Sequence, residues 1–311
     1  MKAYAILNLS NIFTALDELA SLHGLDKMDY EYLSGVAIYD GDPSVAKKAS
    51  FITTSGVFLG KSNDLNEIKE IVKGKCFSIK LNSIYGKDKD LLIEAYEKVK
   101  DVIKLSKACE TLDMISTDGQ IVLGLRKAEH DTKSILKHSE KPFRQSGTMD
   151  SRTSRLLVNL ARPKRIVLDP FVGTGSILIE ARWLGYECIG GDLDRRMLQK
   201  AQSNLRYFGY DCMLINSSAF NIPLRGIDSI ATDPPYGRSC TTFGAELKDL
   251  YYNFFISAVE VLKNNSYLVF ATSSDLDFRD MLKSVGFKNM RIHFIYLHKS
   301  LSRAIYVVYK S

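Results

Sequence analysis

From Arg165 onward, short apolar runs alternate with segments of helical length. RIVLD, YECIGGD, DCMLIN, IDSIATD and YLVFATS have the length and side-chain character of strands. SILIEARWLG, DRRMLQKAQSNLRYFG, LYYNFFISAVEVLKN and SDLDFRDMLKSVG fall among them with helical periodicity. NMRIHFIYLHKS and SRAIYVVYK close the chain as a strand pair. Such an alternation buries its apolar runs as a doubly wound α/β sheet with helices on both faces. The last two strands form an antiparallel pair at its end.

The texture before Arg126 differs. KAYAILNL, SGVAIYD, SFITTSGVFLG, CFSIKLNSIYG and GQIVLGLRKA read as strands. NIFTALDELASLHG and LNEIKEIVKG read as helices, and so does the long DLLIEAYEKVKDVIKLSKAC. This mixture implies α+β lobes. Residues 127–147 are polar and aperiodic and are expected to be a linker. Between Arg126 and Arg165 stand eleven Lys or Arg against four acids, an excess of seven in a chain whose net charge is +6. Lys137, Lys141 and Arg144 are therefore expected to track a phosphate backbone.

The five scattered cysteines include no C-x-x-C pair. They are expected to be reduced, buried thiols of a cytoplasmic protein, with no zinc site and no disulfide framework. No apolar run approaches the length of a membrane span. His293, His298 and Trp183 are expected to pack rather than bind a ligand.

VLDPFVGTGSILIEA reads strand, glycine loop, helix. Gly173 and Gly175 let the backbone approach a ligand, but Leu178 stands where a dinucleotide fingerprint has its third glycine. Asp192, nineteen residues after Gly173, ends the second strand, where an acid binds ribose hydroxyls. A nucleoside without pyrophosphate fits, namely S-adenosylmethionine, with Asp169 taking its ammonium.

The fourth strand leads into ATDPPYG. Proline cannot continue a central strand, so the chain stops rigidly after Asp233. An exocyclic base amine is a poor nucleophile because its lone pair is conjugated into the ring. Acceptors at its two N–H groups favour the more tetrahedral, reactive form. Asp233 and the Pro234 carbonyl can supply them, and Tyr236 offers a flat face for the base. No Pro-Cys dipeptide is present for carbon methylation.

VLDPFVGTGSILIEA, GGDLD and ATDPPYGRS resemble the methyltransferase half of the archaeal tRNA guanine-10 N2-methyltransferases. KPFRQSGTMDSRTSRLLVNLAR resembles the stretch before that family's first strand. The resemblance implies a Rossmann-like methyltransferase domain over 148–311, a ferredoxin-like lobe over 1–58, a tRNA-binding THUMP domain over 59–126 and a basic linker over 127–147. It implies catalysis by Asp233, Pro234 and Tyr236, with Gly237 on the substrate. Asp169, Phe171, Gly173, Gly175 and Asp192 would line the cofactor, with Thr148 added from the preceding segment. Ser217 and Ser218 stand where the family has an acid for the adenine amino group, so Ser218 is the expected substitute contact. The protein would act on tRNA as a monomer, without metal or an obligatory protein partner.

Other readings stay open on sequence. Adenine-N6 methyltransferases share DPPY, though only sixty residues separate Gly173 from Asp233, too few for an inserted DNA-reading domain. Release-factor glutamine methyltransferases resemble this pattern with Asn at the position of Asp233. RNA thiolation enzymes share THUMP lobes but carry an S-G-G-x-D-S loop that is absent here. A non-catalytic RNA-binding protein would not need the cofactor motifs. The sequence does not choose between guanine N2 and adenine N6, or between one methyl group and two.

Overall fold

A computed structural model of the protein describes residues 1–86, 88–145, 147–235, 245–298 and 301–311. The chain divides into two compact units, Met1–Asp131 and Thr132–Ser311.

The first unit contains β1 (Lys2–Leu7), α1 (Ile12–Leu22), β2 (Tyr30–Leu33), β3 (Val36–Asp40), β4 (Ile52–Ser62) and α2 (Leu65–Val72). It continues with β5 (Cys76–Ser83), α3 (Lys89–Lys100), β6 (Lys104–Leu105), β7 (Thr111–Thr117) and β8 (Gln120–Glu129). All eight strands form one sheet, in the order β2-β3-β1-β4-β8-β7-β5-β6. β4 pairs with β1 on one side and β8 on the other, so residue 58 lies inside a central strand. The boundary expected at 58/59 therefore meets no break in the sheet. The long helix expected through Cys109 stops at Lys100, and β7 follows as a parallel partner of β5. Parallel strands need a crossover, and α3 supplies it.

The second unit contains α4 (Thr132–Ser139), α5 (Ser151–Leu160), β9 (Ile166–Asp169), α6 (Ser176–Trp183), β10 (Glu187–Asp192), α7 (Arg195–Tyr207) and β11 (Met213–Asn216). It ends with β12 (Ile227–Thr232), α8 (Ala245–Val261), β13 (Leu262–Ser273), α9 (Arg279–Ser284), β14 (Asn289–His298) and β15 (Leu301–Lys310). The sheet order is β11-β10-β9-β12-β13-β15-β14, parallel from β11 to β13, with β15 antiparallel to both neighbours. This is the expected doubly wound sheet with its terminal pair. Tyr251, Phe254 and Phe255 of α8 are buried with Leu268 and Phe270 of β13 and with Phe278, which stacks on Tyr251 at 4.1 Å. The expected linker, 127–147, contains the end of β8 and all of α4, and the division between the two units falls within it, between Asp131 and Thr132.

Four cysteines are paired, correcting the expectation of free thiols. Cys76 bonds Cys109, and Cys188 bonds Cys212. Parallel register explains the second pair. Ile189 lies beside Met213, so the residues just before them, Cys188 and Cys212, meet across adjacent strands. Spacing alone does not reveal this, because the partners become neighbours only once the α7 crossover is folded. Denatured, unreduced protein should titrate as one thiol, and as five after reduction. Each bridge closes a loop of tens of residues and should contribute about 2–4 kcal/mol. Calorimetry with and without reductant should show a lower Tm for the reduced protein; an unchanged Tm with five free thiols throughout would refute the pairing.

Candidate active site

β9 lies between β10 and β12, where the chain order of the parallel sheet reverses. Ligands bind such sheets at the carboxyl ends of the strands beside this reversal. Asp169 ends β9 and is buried, at 1% exposure. Its Oδ1 accepts from Thr232 Oγ1 at 2.6 Å and from the Phe171 N–H at 3.2 Å. Burial pushes its carboxyl up to about 7. The two hydrogen bonds oppose that rise, and the neighbouring charges of Asp233 and Asp192 add to it. Three carboxylates thus share one end of the sheet. Asp233 is half-buried, directly after the last residue of β12, and Pro234 is buried behind it.

The glycine loop closes over β10. Gly173 and Gly175 have φ of +49° and +85°, and Gly175 caps α6 in the left-handed region that only glycine enters cheaply. The Gly173 N–H donates to Asp192 Oδ2 at 3.0 Å, while Asp192 Oδ1 accepts from the Asp194 N–H at 2.9 Å. Asp192 therefore shapes the loop as well as facing the site. A Cβ at Gly190 would lie within 2.8 Å of Leu178, Leu214 and Val172, so α6 can approach β10 only over glycine. Among the described residues, a Cβ at Gly173 would meet only the Phe171 carbonyl, at 4.0 Å. Phe171 is half-buried with its ring edge-on to Phe254. Ser218 is half-buried, and its hydroxyl accepts from the Phe220 N–H at 3.2 Å.

Sequence reasoning missed two apolar side chains here. Leu193, directly after Asp192, is 69% exposed, and Phe220 is 44% exposed. Leu193 directly follows the acid that ends β10, and Phe220 stands in the loop after β11, four residues past Asn216; periodicity arguments assign such residues to packing. Tyr236 and Gly237 lie outside the described residues.

The segment before β9 is docked onto the same loop. Asn204 of α7, fully buried, accepts from the Phe143 N–H and donates to the carbonyls of Phe143 and Thr174, all at 2.8–2.9 Å. Thr148 is half-buried, and its hydroxyl accepts from the Gln145 N–H at 3.2 Å. Beneath lies an ionic cluster. Glu180 of α6 accepts from Arg155 of α5 at 2.8 Å and bonds His138 of α4 at 2.7 Å, with all three side chains buried. Arg155 also donates to Ser134 and lies 3.6 Å over the Trp183 ring.

Lys141 belongs to this interior, not to a surface strip. It is buried, with Nζ bonded to Ser176 Oγ at the first residue of α6. Desolvation pushes its ammonium down to about 8, opposed by Glu180 and helped by Arg144. Lys137 and Arg144 are exposed as expected. Arg155 and Arg162 are buried as well, so the charge excess counted along the sequence overstates what reaches solvent.

A cation suits the carboxylate cluster, and a nucleoside lacking pyrophosphate suits a two-glycine loop closed by an acid on the next strand. Among the described residues no group of three or more His, Cys, Asp or Glu is placed to hold a metal. None of their helices is long and apolar enough to cross a membrane. Fold and site together define an S-adenosylmethionine-dependent methyltransferase. Residues 139–303 match the RMKL-like methyltransferase domain family, UPF0020. The chain is 30% identical over 274 residues to a tRNA (guanine(10)-N2)-dimethyltransferase of Pyrococcus abyssi, covering 81% of this chain and 82% of that protein. It is 36% identical over 173 residues to the protein of that name in Methanothermobacter thermautotrophicus, covering 54% and 51%. TrmN from Thermus thermophilus shares the fold over the full length of both chains, with a TM-score of 0.53 at 18% identity. The chain belongs to this methyltransferase family.

The buried Asp169 carboxyl makes a signed prediction. Its folded pKa is raised, so the folded state holds a proton that the unfolded chain releases near pH 4. Stability is therefore lost as pH rises from about 4 to about 7. Asp169→Asn keeps an acceptor for Thr232 and carries no charge. It should raise Tm over the parent more at pH 8 than at pH 5, while weakening cofactor binding. In the parent, cofactor affinity should fall about tenfold from pH 8 to pH 6 as Asp169 takes its proton. A Tm difference independent of pH would refute the assignment.

Proposed function

We propose that this chain methylates the exocyclic N2 of the guanosine at position 10 of tRNA. The observation that carries the reading is Asp233 and Pro234 leaving β12 beside the Asp169 carboxylate and the glycine loop. The names of the two archaeal relatives support both the base and the position. Asp192 holds the ribose hydroxyls, and Asp169 faces the positive charge. Phe171, Gly173, Gly175 and Thr148 complete the pocket. Leu193 and Phe220 cover the adenine faces, with Ser218 beside them. S-adenosylmethionine, when bound, supplies the electrophilic methyl carbon.

The chain's own residues prepare the amine. Asp233 and the Pro234 carbonyl accept its two N–H groups, which draws the nitrogen lone pair out of conjugation. The prolines hold those acceptors fixed, so no reorganisation is needed as charge develops. The target base must leave its stack, at a cost of a few kcal/mol. Binding energy gathered elsewhere on the tRNA offsets this. The first unit, with the expected ferredoxin-like and THUMP lobes, holds another part of the tRNA, and Lys137 and Arg144 meet its phosphates. The protein works as a cytoplasmic monomer without an activating partner.

Asp233→Ala should lower kcat by about 10²–10³-fold, as loss of one transition-state acceptor does, with cofactor affinity within about threefold of the parent. Mass spectrometry of nucleosides from treated tRNA reads the product. Methylated adenosine in place of N2-methylated or N2,N2-dimethylated guanosine would overturn the choice of base. A fragment starting at Thr132 should fold, bind the cofactor and lose most of kcat/KM on tRNA. One starting at Gln145 would strip α4 from Arg155 and Glu180 and should be markedly less stable. Equal activity of the Thr132 fragment and the whole chain would remove the role given to the first unit.

A further inference from the structure

β14 is the edge strand of the second sheet, and it runs parallel to β13 because both are antiparallel to β15. Its carboxyl end therefore points the same way as the strand ends that carry Asp169, Asp192 and Asp233. Alternation puts Met290, Ile292, Phe294 and Tyr296 on one face. Met290 and Ile292 pack against the core of α8 and β13, but Phe294 and Tyr296 are 60% and 68% exposed. Cross-strand register fixes their level. Thr232 pairs with Phe270, Phe270 with Tyr306, and Tyr306 with Ile292. The next row on that face is Thr272, Ala304 and Phe294, at the height where the chain leaves β12 into Asp233 and Pro234. Three strand spacings separate Phe294 from that exit, about 14 Å.

Two uncovered rings on an edge strand invite association unless something occupies them. The charge of the segment says what kind of partner fits. From Met281 to Ser311 there are six Lys or Arg and no Asp or Glu; Arg303 is buried and Lys310 bonds main-chain carbonyls, while Lys283 and Lys288 are exposed to solvent. Two copies meeting here would repel, whereas a polyanion is attracted. We propose that Phe294 and Tyr296 form a stacking ledge for unpaired nucleotides that flank the target guanosine. This rests on the reading that tRNA is the substrate. At about 14 Å the ledge is too far for the target base and close enough for nucleotides a few places along the strand. Stacking there captures single-stranded RNA without reading its sequence, and it keeps the flipped base from sliding back.

The test uses the full-length protein with Phe294→Ala and Tyr296→Ala combined. Both side chains face solvent, so the double variant should fold with the parent's Tm and cofactor affinity. Its affinity for tRNA should fall about tenfold, with kcat/KM falling in step. The log–log salt dependence of tRNA binding should keep its slope, because rings and not phosphate contacts are lost. Phe294→Trp with Tyr296→Phe should restore binding. The parent is the control: if it modifies no tRNA, the proposed substrate fails independently of the ledge. If the parent is active and the alanine variant binds tRNA equally well, the ledge is refuted. Light scattering that shows a parental dimer lost in the variant would also overturn it, in favour of a second copy on this face.

Discussion

The hydroxyl of Thr232 donates to Asp169, and that 2.6 Å contact joins two strand ends with different work to do. Asp169 ends the strand behind the glycine loop. Thr232 is the last residue before Asp233. A buried carboxylate is costly, and its raised pKa measures that cost. The fold offsets part of that cost with the hydrogen bonds from Thr232 and Phe171. The same buried group also fixes the chain locally. It receives the Phe171 N–H, and so sets the direction in which the loop leaves β9. The glycine loop and the turn at Asp233 are thereby registered to each other through one acceptor.

A second constraint acts from below. Glu180 sits on α6, one face of which follows the glycine loop, and it is held by Arg155 and His138 from the two helices that precede β9. A fully buried ion cluster is weak evidence for stability, since desolvation can exceed the attraction. Its effect here is on position. The arrangement of three helices around Glu180 accompanies the contacts of Lys141 with Ser176 and of Phe143 with Asn204. Lys141 and Phe143 are thus held within the methyltransferase fold and do not belong to a tether leading to it.

What was legible in the sequence depended on how local the cause is. The strand–helix alternation after Arg165, the paired glycines and the double proline are each written within a few residues, and each appears where it was expected. The pairing of Cys188 with Cys212 was not legible, because it is a consequence of parallel register across a thirteen-residue helix, α7. β6 was hidden because the apolar pattern of α3 runs on past its end, through Val102 and Ile103, and only pairing with β5 distinguishes the two. Lys141 was misread for the opposite reason. A lysine in a polar stretch is exposed by default, and its burial follows from α4 and α6 meeting, which no local pattern encodes.

The first unit shows the same logic on a larger scale. Asp113 of β7, fully buried, accepts from Tyr4 of β1, Asn82 of β5 and Arg126 of β8. These strands come from both sides of the division expected at residue 58. Burial and the negative charge of Asp113 hold the Tyr4 hydroxyl far above its ordinary pKa, so it stays a donor at any physiological pH. The Tyr4 ring lies where a Cβ at Gly124 would be, with Cε1 at 2.1 Å, so β8 must present glycine there. Tyr4 comes from before residue 58, whereas Asn82 and Arg126 come from after it, so Asp113 ties β1 to the strands on the other side. β1, β5, β7 and β8 thus share one buried carboxylate within a single eight-stranded sheet.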